Sequence, residues 1–233
     1  MASPNSTEYL YREIAELPLF EGMSKESVLE VLAGGSLRLH KHREILYHAG
    51  DEAGSFSLVL NGAYKLIRPT PRGDDLIVYF ATPGDVIGAL VMGKSGSSYP
   101  VTAKAMGPSR CYVIPKSTFQ KSWAGNALLQ QRLNSFLYSR MSLIQDEKTM
   151  ARAPLPQRVA ALLLQLLERS SRENEQILPL PLTRQEIADS LGVAVESVIR
   201  IMSDWSHHGI IRTNDRLIEI LKPERIIEII KES

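Results

Sequence analysis

Residues 182–221 constrain the fold more than any other part of the chain. Thr183 and Glu186 stand three positions apart, which is the spacing of a capping box at the start of a helix. This helix is predicted to end at Gly192. A second helix is predicted to start three residues later and to end at Gly209, since glycine readily adopts the left-handed conformation that stops a helix. Two helices joined by a three-residue turn with glycine are typical of a helix-turn-helix.

The second of these helices is predicted to have one buried and one exposed face. Val198, Met202 and Trp205 recur at helical spacing and form the buried face. The outward side chains are Val195, Glu196, Ile199 and Arg200. In a helix-turn-helix this part of the second helix enters the major groove, where glutamate accepts from cytosine and arginine donates to guanine. A solvated Glu–Arg surface pair is the alternative interpretation.

Two short apolar runs follow the second helix, at Ile210–Arg212 and Leu217–Leu221. A turn around Thr213–Arg216 separates them, so they predict a two-stranded wing. Upstream, residues 37–115 show a different pattern, in which glycines recur every 11 or 12 residues within turn-forming sequences, at Gly50, Gly62, Gly73 and Gly84. Short runs of Val, Ile, Leu, Tyr and Phe lie between them. Short strands with turns at this spacing predict an antiparallel sandwich or roll.

Residues 126–150 contain no glycine or proline and predict a long helix. Its apolar stripe includes one arginine and consists of Leu129, Leu133, Phe136, Leu137, Arg140 and Ile144. Such a helix either lies across its own sheet or pairs with its copy in a homodimer, and we favour the dimer. Pro154 and Pro156 then break the pattern, and residues 157–171 predict an apolar helix followed by a polar loop. The predicted domains are 1–125, 126–153 and 154–233.

Composition excludes several classes of protein. The formal net charge is +1, and residues 154–233 carry 10 Lys and Arg against 12 Asp and Glu, so bulk charge does not indicate nucleic acid binding. No apolar run approaches the roughly 20 residues that span a bilayer, and no secretion signal is visible. The single cysteine, Cys111, excludes an internal disulfide, a four-cysteine zinc site and a cysteine-ligated iron–sulfur cluster. We therefore expect a cytoplasmic protein without membrane contact.

The chain resembles the CRP/FNR superfamily of bacterial transcription regulators over nearly its whole length. The residues that carry the resemblance are Gly50-Asp51, Gly62, Gly84-Asp85, Gly88 and the run LTRQEIADSLGVAVESVIR. The resemblance implies an α+β chain with an antiparallel β-roll of cyclic-nucleotide-binding type, a long dimerisation helix and a C-terminal winged helix-turn-helix. It also implies a cytoplasmic homodimer that binds a palindrome in double-stranded DNA and recruits RNA polymerase.

The same resemblance assigns roles within the DNA-binding module. Glu196 and Arg200 look like the base-reading pair, while Thr183, Arg184 and Gln185 look like phosphate contacts. Val195 and Ile199 offer methyl groups to thymine, so we expect a TTGA-like half-site. The chain departs from the family at Ala194, where Ser or Thr is usual, which weakens one helix cap by about 1 kcal/mol.

The effector pocket departs from the cyclic-AMP-binding pattern. Members that bind cyclic AMP use a Glu for the ribose and an Arg for the phosphate, but here the corresponding stretches read Gly88-Ala89-Leu90 and Tyr99-Pro100. On the long helix, Leu143 and Ile144 stand where a polar pair meets the purine. An anion without an Arg or Lys would depend on backbone amides alone. Cyclic AMP is therefore not expected, and an apolar effector or none at all remains open.

Haem is a further possibility, because some relatives sense gases in that way. The candidate axial ligands are His40, His42, His48, Met92 and Cys111. The oxygen-sensing iron–sulfur branch is excluded, since its N-terminal cysteine set is missing. The alternative to a DNA-binding regulator is a regulatory subunit or interaction module whose C-terminal domain binds protein. No catalytic triad, metal-ligand set or phosphate-binding loop supports an enzyme.

Overall fold

A computed structural model describes residues 4–70, 73, 75–169 and 176–232 of the chain. The chain divides into two compact units, one formed by residues 1–64 with 81–141 and the other by residues 65–80 with 142–233. The strands of the roll are β1 (Ser36–His40), β2 (Ile45–Tyr47), β3 (Ser55–Asn61), β4 (Tyr64–Pro69), β5 (Asp75–Ala81), β6 (Val86–Ile87), β7 (Thr102–Ala105) and β8 (Ser109–Pro115).

The strands form two four-stranded sheets. Their orders are β1-β8-β3-β6 and β2-β7-β4-β5. The central pair β3 and β8 is antiparallel, with Leu58 opposite Tyr112. Gly62 illustrates why glycine stands at the turns: its φ is +73°, and a Cβ there would lie 2.5 Å from the carbonyl oxygen of Pro108. The predicted α+β fold with an antiparallel roll is confirmed.

The core of the first unit is built around Trp123. Its indole Nε1 donates to the carbonyl of Val31 at 2.7 Å, and Phe20 and Phe56 meet the ring edge-to-face. The helices that supply and cover this core are α1 (Pro4–Ala15), α2 (Lys25–Val31) and α3 (Lys116–Thr118), which continues as a short π-helix over Phe119–Trp123. This core fixes the start of the long helix that follows.

The long helix, α4, runs from Ala127 to Met150, as predicted within one residue at its start. The face assigned to a dimer seam is wrong at two positions, because Leu129 and Leu133 are buried within the chain's own first unit. Arg140 is also engaged internally. It forms an ion pair with Asp85, and its guanidinium lies 4.5 Å from the ring centroid of Phe136. The N-terminal part of α4 thus anchors the roll.

The second unit contains the winged helix-turn-helix. Its elements are α5 (Leu155–Leu167), α6 (Arg184–Leu191), α7 (Val195–His207), β9 (Ile211–Asn214), β10 (Leu217–Ile220) and α8 (Pro223–Lys231). Helix α5 begins two residues before the predicted start and includes a proline in its first turn. A proline is tolerated there because the N–H that it lacks would have no hydrogen-bond partner within the helix. It ends four residues early, and positions 170 and 171 of the prediction lie outside the described residues.

Candidate nucleic-acid interface

The start of α6 is the capping box that the sequence predicted. The Thr183 hydroxyl accepts from the amide of Glu186 at 3.2 Å, and the Glu186 carboxylate accepts from the Thr183 amide at 3.0 Å and from its hydroxyl at 2.9 Å. Glu186 is buried, which opposes its ionisation. Hydrogen bonds from Lys65 and Thr183 outweigh that effect and hold the pKa of Glu186 below its usual value.

The turn between the two helices is set by Gly192. This glycine ends α6 with φ +64°, in the left-handed region. The next amide, that of Val193, donates to the carbonyl of Ala188 at 3.1 Å. Helix α7 then begins at Val195, and Ala194 caps it without a side-chain hydrogen bond. The missing cap is the departure that the sequence indicated.

Helix α7 has the two faces that its periodicity predicted. Val198, Met202 and Trp205 are buried against the rest of the unit. Glu196 and Arg200 are exposed one turn apart, and Ile199 is half-exposed between them. Within the part of the chain that the structure describes, neither Glu196 nor Arg200 forms a hydrogen bond or an ion pair. The surface pair that was the alternative interpretation is therefore not formed, and both charged heads are available to a ligand.

The three predicted phosphate contacts lie together at the start of α6, and each already has a partner in the chain. Thr183 is held in the capping box. Arg184 donates to the Thr213 hydroxyl at 3.0 Å, and burial lowers the pKa of its guanidinium. Gln185 donates to the Asp189 carboxylate at 2.7 Å. A DNA phosphate would have to share or displace these contacts.

The link between Arg184 and the wing was not predicted from the sequence. The wing strands β9 and β10 pair antiparallel, and the Arg212 guanidinium donates across them to Glu219 at 2.6 Å. Their turn consists of Asp215 and Arg216, both with positive φ, as in a two-residue hairpin turn. The alternation of polar and apolar residues in the wing was the available signal, because it places Thr213 on the same face of β9 as the buried Ile211.

At the predicted effector pocket, Tyr99 packs against other residues of the roll. Tyr99 is buried and stacks on Tyr47, and its hydroxyl donates to the carbonyl of Ser55 at 2.5 Å. A Cβ added at Gly88 would lie 3.1 Å from the Tyr99 ring, so the two segments are in close contact. Ala89 is buried beside them, whereas Leu90 and Pro100 are exposed. Tyr99 therefore occupies space within the roll instead of presenting a cation to a phosphate.

Leu143 and Ile144, predicted to belong to the same pocket, lie in the second unit. There they line a cavity of about 490 Å³ together with residues of α5, α6 and α8. Leu162, Leu191 and Ile230 give this cavity its apolar walls. All of its described lining comes from the second unit. The grouping of Leu143 and Ile144 with Gly88 was implied by the resemblance and stays a prediction.

Two of the candidate haem ligands, His40 and Cys111, both contact the Tyr64 hydroxyl. His40 Nδ1 lies 2.9 Å from the Tyr64 hydroxyl, and His42 Nδ1 lies 2.6 Å from the carbonyl of Met106. Met92 and Cys111 are fully buried, and burial raises the pKa of the Cys111 thiol. Among the described residues no group of three His, Cys, Asp or Glu side chains is placed to hold a metal ion. In the same residues no helix is long and apolar enough to cross a membrane.

A roll joined by a long helix to a winged helix-turn-helix, whose recognition helix exposes two charged side chains, defines a DNA-binding transcription regulator. Comparison with known proteins supports this class for both domains. Residues 37–126 match the family of cyclic nucleotide-binding domains, and residues 157–229 match the Crp-like helix-turn-helix domain. The chain belongs to the CRP/FNR superfamily of transcription regulators and is not an enzyme.

Individual relatives support this assignment. The nitrogen fixation regulation protein FixK of Bradyrhizobium diazoefficiens is 31% identical over 186 residues, which cover 78% of this chain and 77% of FixK. The transcriptional activator FnrA of Stutzerimonas stutzeri is 28% identical over 211 residues, covering 88% and 84% of the two chains. The solved structure of FixK2 from Bradyrhizobium japonicum shares the fold, with a TM-score of 0.74 at 22% identity over 85% of this chain and 98% of that one.

Proposed function

We propose that this regulator acts as a homodimer on an inverted repeat with TTGA-like half-sites, centred about one helical turn apart. The observation that carries the proposal is the exposed face of α7, where Glu196 and Arg200 lie one turn apart without a partner among the described residues. Arg200 donates to guanine O6 and N7, and Glu196 accepts from a cytosine amino group. Val195 and Ile199 contact thymine methyl groups on either side.

Phosphate contacts at the start of α6 orient this helix on the duplex. Thr183, Arg184 and Gln185 lie at the helix N-terminus, where backbone amides and the helix dipole favour an anion. Arg184 also contacts the wing through Thr213. These contacts carry no sequence information and contribute to every site about equally.

The second copy of the chain packs along α4 through a face corrected from the sequence prediction. Tyr138, Met141 and Ile144 follow one another at three-residue spacing, and each is at least half-exposed in the single chain. Large apolar side chains at this spacing on a 24-residue helix are typical of a helix–helix seam. Phe136 and Leu137 are half-buried beside this face and flank it.

The dimer recruits RNA polymerase in the cytoplasm, which is the role that the family implies and that the name of FnrA, a transcriptional activator, supports. Its control does not use cyclic AMP in the ordinary mode, because Tyr99 fills the roll where the phosphate-binding arginine is absent. An apolar effector fits better than a nucleotide.

Selection of binding sites from a random double-stranded library tests the proposal. We expect an inverted repeat with a TGA core in each half-site. Fluorescence anisotropy on the selected duplex should then show steep weakening with salt, because phosphate contacts release counterions. The matched control is a duplex with both TGA cores scrambled. Selected half-sites without a TGA core would contradict the assignment of reading residues, and absence of any sequence preference would contradict the regulator itself.

A further inference from the structure

The hairpin formed by β4 and β5 is attached to the helix-turn-helix through an ion pair. Lys65 Nζ donates to the Glu186 carboxylate at 2.9 Å, and the two side chains are only 17% and 10% exposed. The partners lie 121 positions apart in the sequence. An ion pair so well shielded from water interacts strongly, because the surrounding dielectric is low.

A second contact attaches the other strand of the same hairpin. Arg169, just after α5, donates to the carbonyl of Phe80 at 2.7 Å and to the hydroxyl of Tyr79. Its guanidinium also lies 4.7 Å from the centroid of the Tyr79 ring. Each strand of the hairpin thus makes a contact in which one of the two partners is a cationic side chain.

The two sides of these contacts come from different domains of the sequence. The hairpin lies within the match to cyclic nucleotide-binding domains, at 37–126, whereas Arg169 and Glu186 lie within the helix-turn-helix match, at 157–229. Even so, residues 65–80 belong to the same compact unit as the helix-turn-helix. Part of the sequence that matches the cyclic nucleotide-binding domain therefore belongs to the same compact unit as the helix-turn-helix.

The ion pair lies at the start of α6, where a DNA phosphate would bind. One oxygen of Glu186 accepts from Lys65, and the other accepts from the amide and the hydroxyl of Thr183. A phosphate at the start of α6 needs the same two donors of Thr183. Because Lys65 holds the carboxylate in place, the ion pair and the phosphate compete for this helix end.

We propose that the β4–β5 hairpin is an autoinhibitory clasp on the helix-turn-helix. The Lys65–Glu186 and Arg169–Tyr79 contacts open before the start of α6 accepts a phosphate. This inference rests on the proposed DNA-binding function and adds the residues that regulate it. By reciprocity, operator DNA loosens the hairpin, and any change that frees the hairpin raises the affinity for the operator.

The test compares Lys65→Gln and Arg169→Gln with the wild type, using Arg68→Gln as the matched control. Arg68 lies on the same strand as Lys65, is exposed and makes no hydrogen bond or ion pair among the described residues. Affinity for the selected operator is measured by anisotropy, and amide hydrogen exchange of residues 184–188 is measured without DNA. Circular dichroism confirms that each variant is folded.

We expect both clasp variants to bind the operator about tenfold more tightly and to exchange faster at the start of α6. Losing a cation by itself weakens DNA binding, so a gain in affinity can come only from release of the hairpin. Arg68→Gln should bind equally or slightly less well and exchange like the wild type. If the wild type binds and the clasp variants bind no better, the clasp is wrong. If no form binds the operator, the proposed function fails, and the clasp with it.

Discussion

The ring of Tyr99 stacks on the ring of Tyr47, with centroids 3.8 Å apart and planes inclined by 13°. The Tyr99 hydroxyl also donates to the carbonyl of Ser55. Burial raises the pKa of Tyr47 well above its usual value, so the Tyr47 ring stays uncharged at neutral pH. The resemblance places Tyr99 where cyclic-AMP-binding relatives have an arginine, and we infer that the packed aromatic pair takes the place of a phosphate site.

Cyclic AMP at millimolar concentration should therefore give no thermal shift. A ligand present at a hundred times its dissociation constant stabilises a protein by about 2.7 kcal/mol, which differential scanning fluorimetry detects easily. Tyr99→Ala is the companion variant. It should lower the free energy of unfolding by roughly 3–5 kcal/mol, as truncation of a large core aromatic does. A saturable rise in melting temperature with cyclic AMP would contradict this account of the pocket.

Arg200→Ala should remove base discrimination, whereas Arg184→Ala should not. A bidentate arginine–guanine contact is worth about 1–3 kcal/mol, so Arg200→Ala should weaken each half-site by that amount and abolish the preference at the guanine. Arg184→Ala should weaken all sequences about equally and flatten the salt dependence. Anisotropy on the selected duplex and on single-base variants separates these outcomes. A guanine preference that survives Arg200→Ala would exclude Arg200 as the reading residue.

Val195→Arg extends the same test to the outer position of the half-site. The exposed start of α7 leaves room for a longer side chain beside Glu196. An arginine there offers two donors where valine offers only methyl groups, so the preference should move from TTGA toward GTGA. Site selection with the variant measures this directly. Val195→Lys is the matched control, because lysine has the same charge but lacks the planar guanidinium that donates two parallel hydrogen bonds. An unchanged half-site would place Val195 outside the groove.

The local features of the DNA-binding module were predictable because their signals are local. Thr183 and Glu186 specify the capping box, and Gly192 and Gly209 end the two helices. The helical spacing of apolar residues also predicted α4. It did not indicate which surface the apolar stripe of α4 packs against. Leu129 fits a seam between copies and a contact with its own roll equally well, and the structure shows the second.

Contacts between distant parts of the sequence were not predictable. Lys65 and Glu186 are far apart in the chain, and the sequence around either residue does not indicate that the two side chains pair. The same applies to Arg169 and Tyr79. Such pairs depend on how elements pack, which the spacing of residues within one element does not encode.

The corrected seam predicts different outcomes for two aspartate substitutions on α4. Met141→Asp should place an unpaired carboxylate in the dimer seam and yield folded monomers, at a cost of several kcal/mol in association. Leu133→Asp should instead unfold the first unit, because Leu133 is buried inside it. Sedimentation velocity and circular dichroism together distinguish these results. If Met141→Asp remains a dimer, the seam lies elsewhere.

His40 should make the first unit less stable in mild acid. Burial lowers the pKa of its imidazole below the usual value of 6.5, and its Nδ1 contacts the Tyr64 hydroxyl. Below pH 6.5 the unfolded chain binds a proton that the folded chain does not, so the free energy of unfolding falls as the pH drops. Urea unfolding between pH 7.5 and 5 should show this slope, and His40→Gln should reduce it. The exposed His48 gives the matched control, His48→Gln, which should keep the slope.

Ala194→Ser should stabilise the start of the recognition helix. Ala194 already has the extended conformation of an N-cap residue, with φ −67° and ψ 136°, but it has no side-chain acceptor. A serine hydroxyl in this position would accept from the amide of Glu196 or Ser197, which is worth about 1 kcal/mol. Amide exchange at these two positions should slow about fivefold, since 1.4 kcal/mol corresponds to a factor of ten. Ala194→Gly is the control, because it keeps the conformation without adding an acceptor and should change exchange much less. Faster exchange in Ala194→Ser would mean that the hydroxyl does not reach the helix end, and Ala194 would then have no capping role to restore.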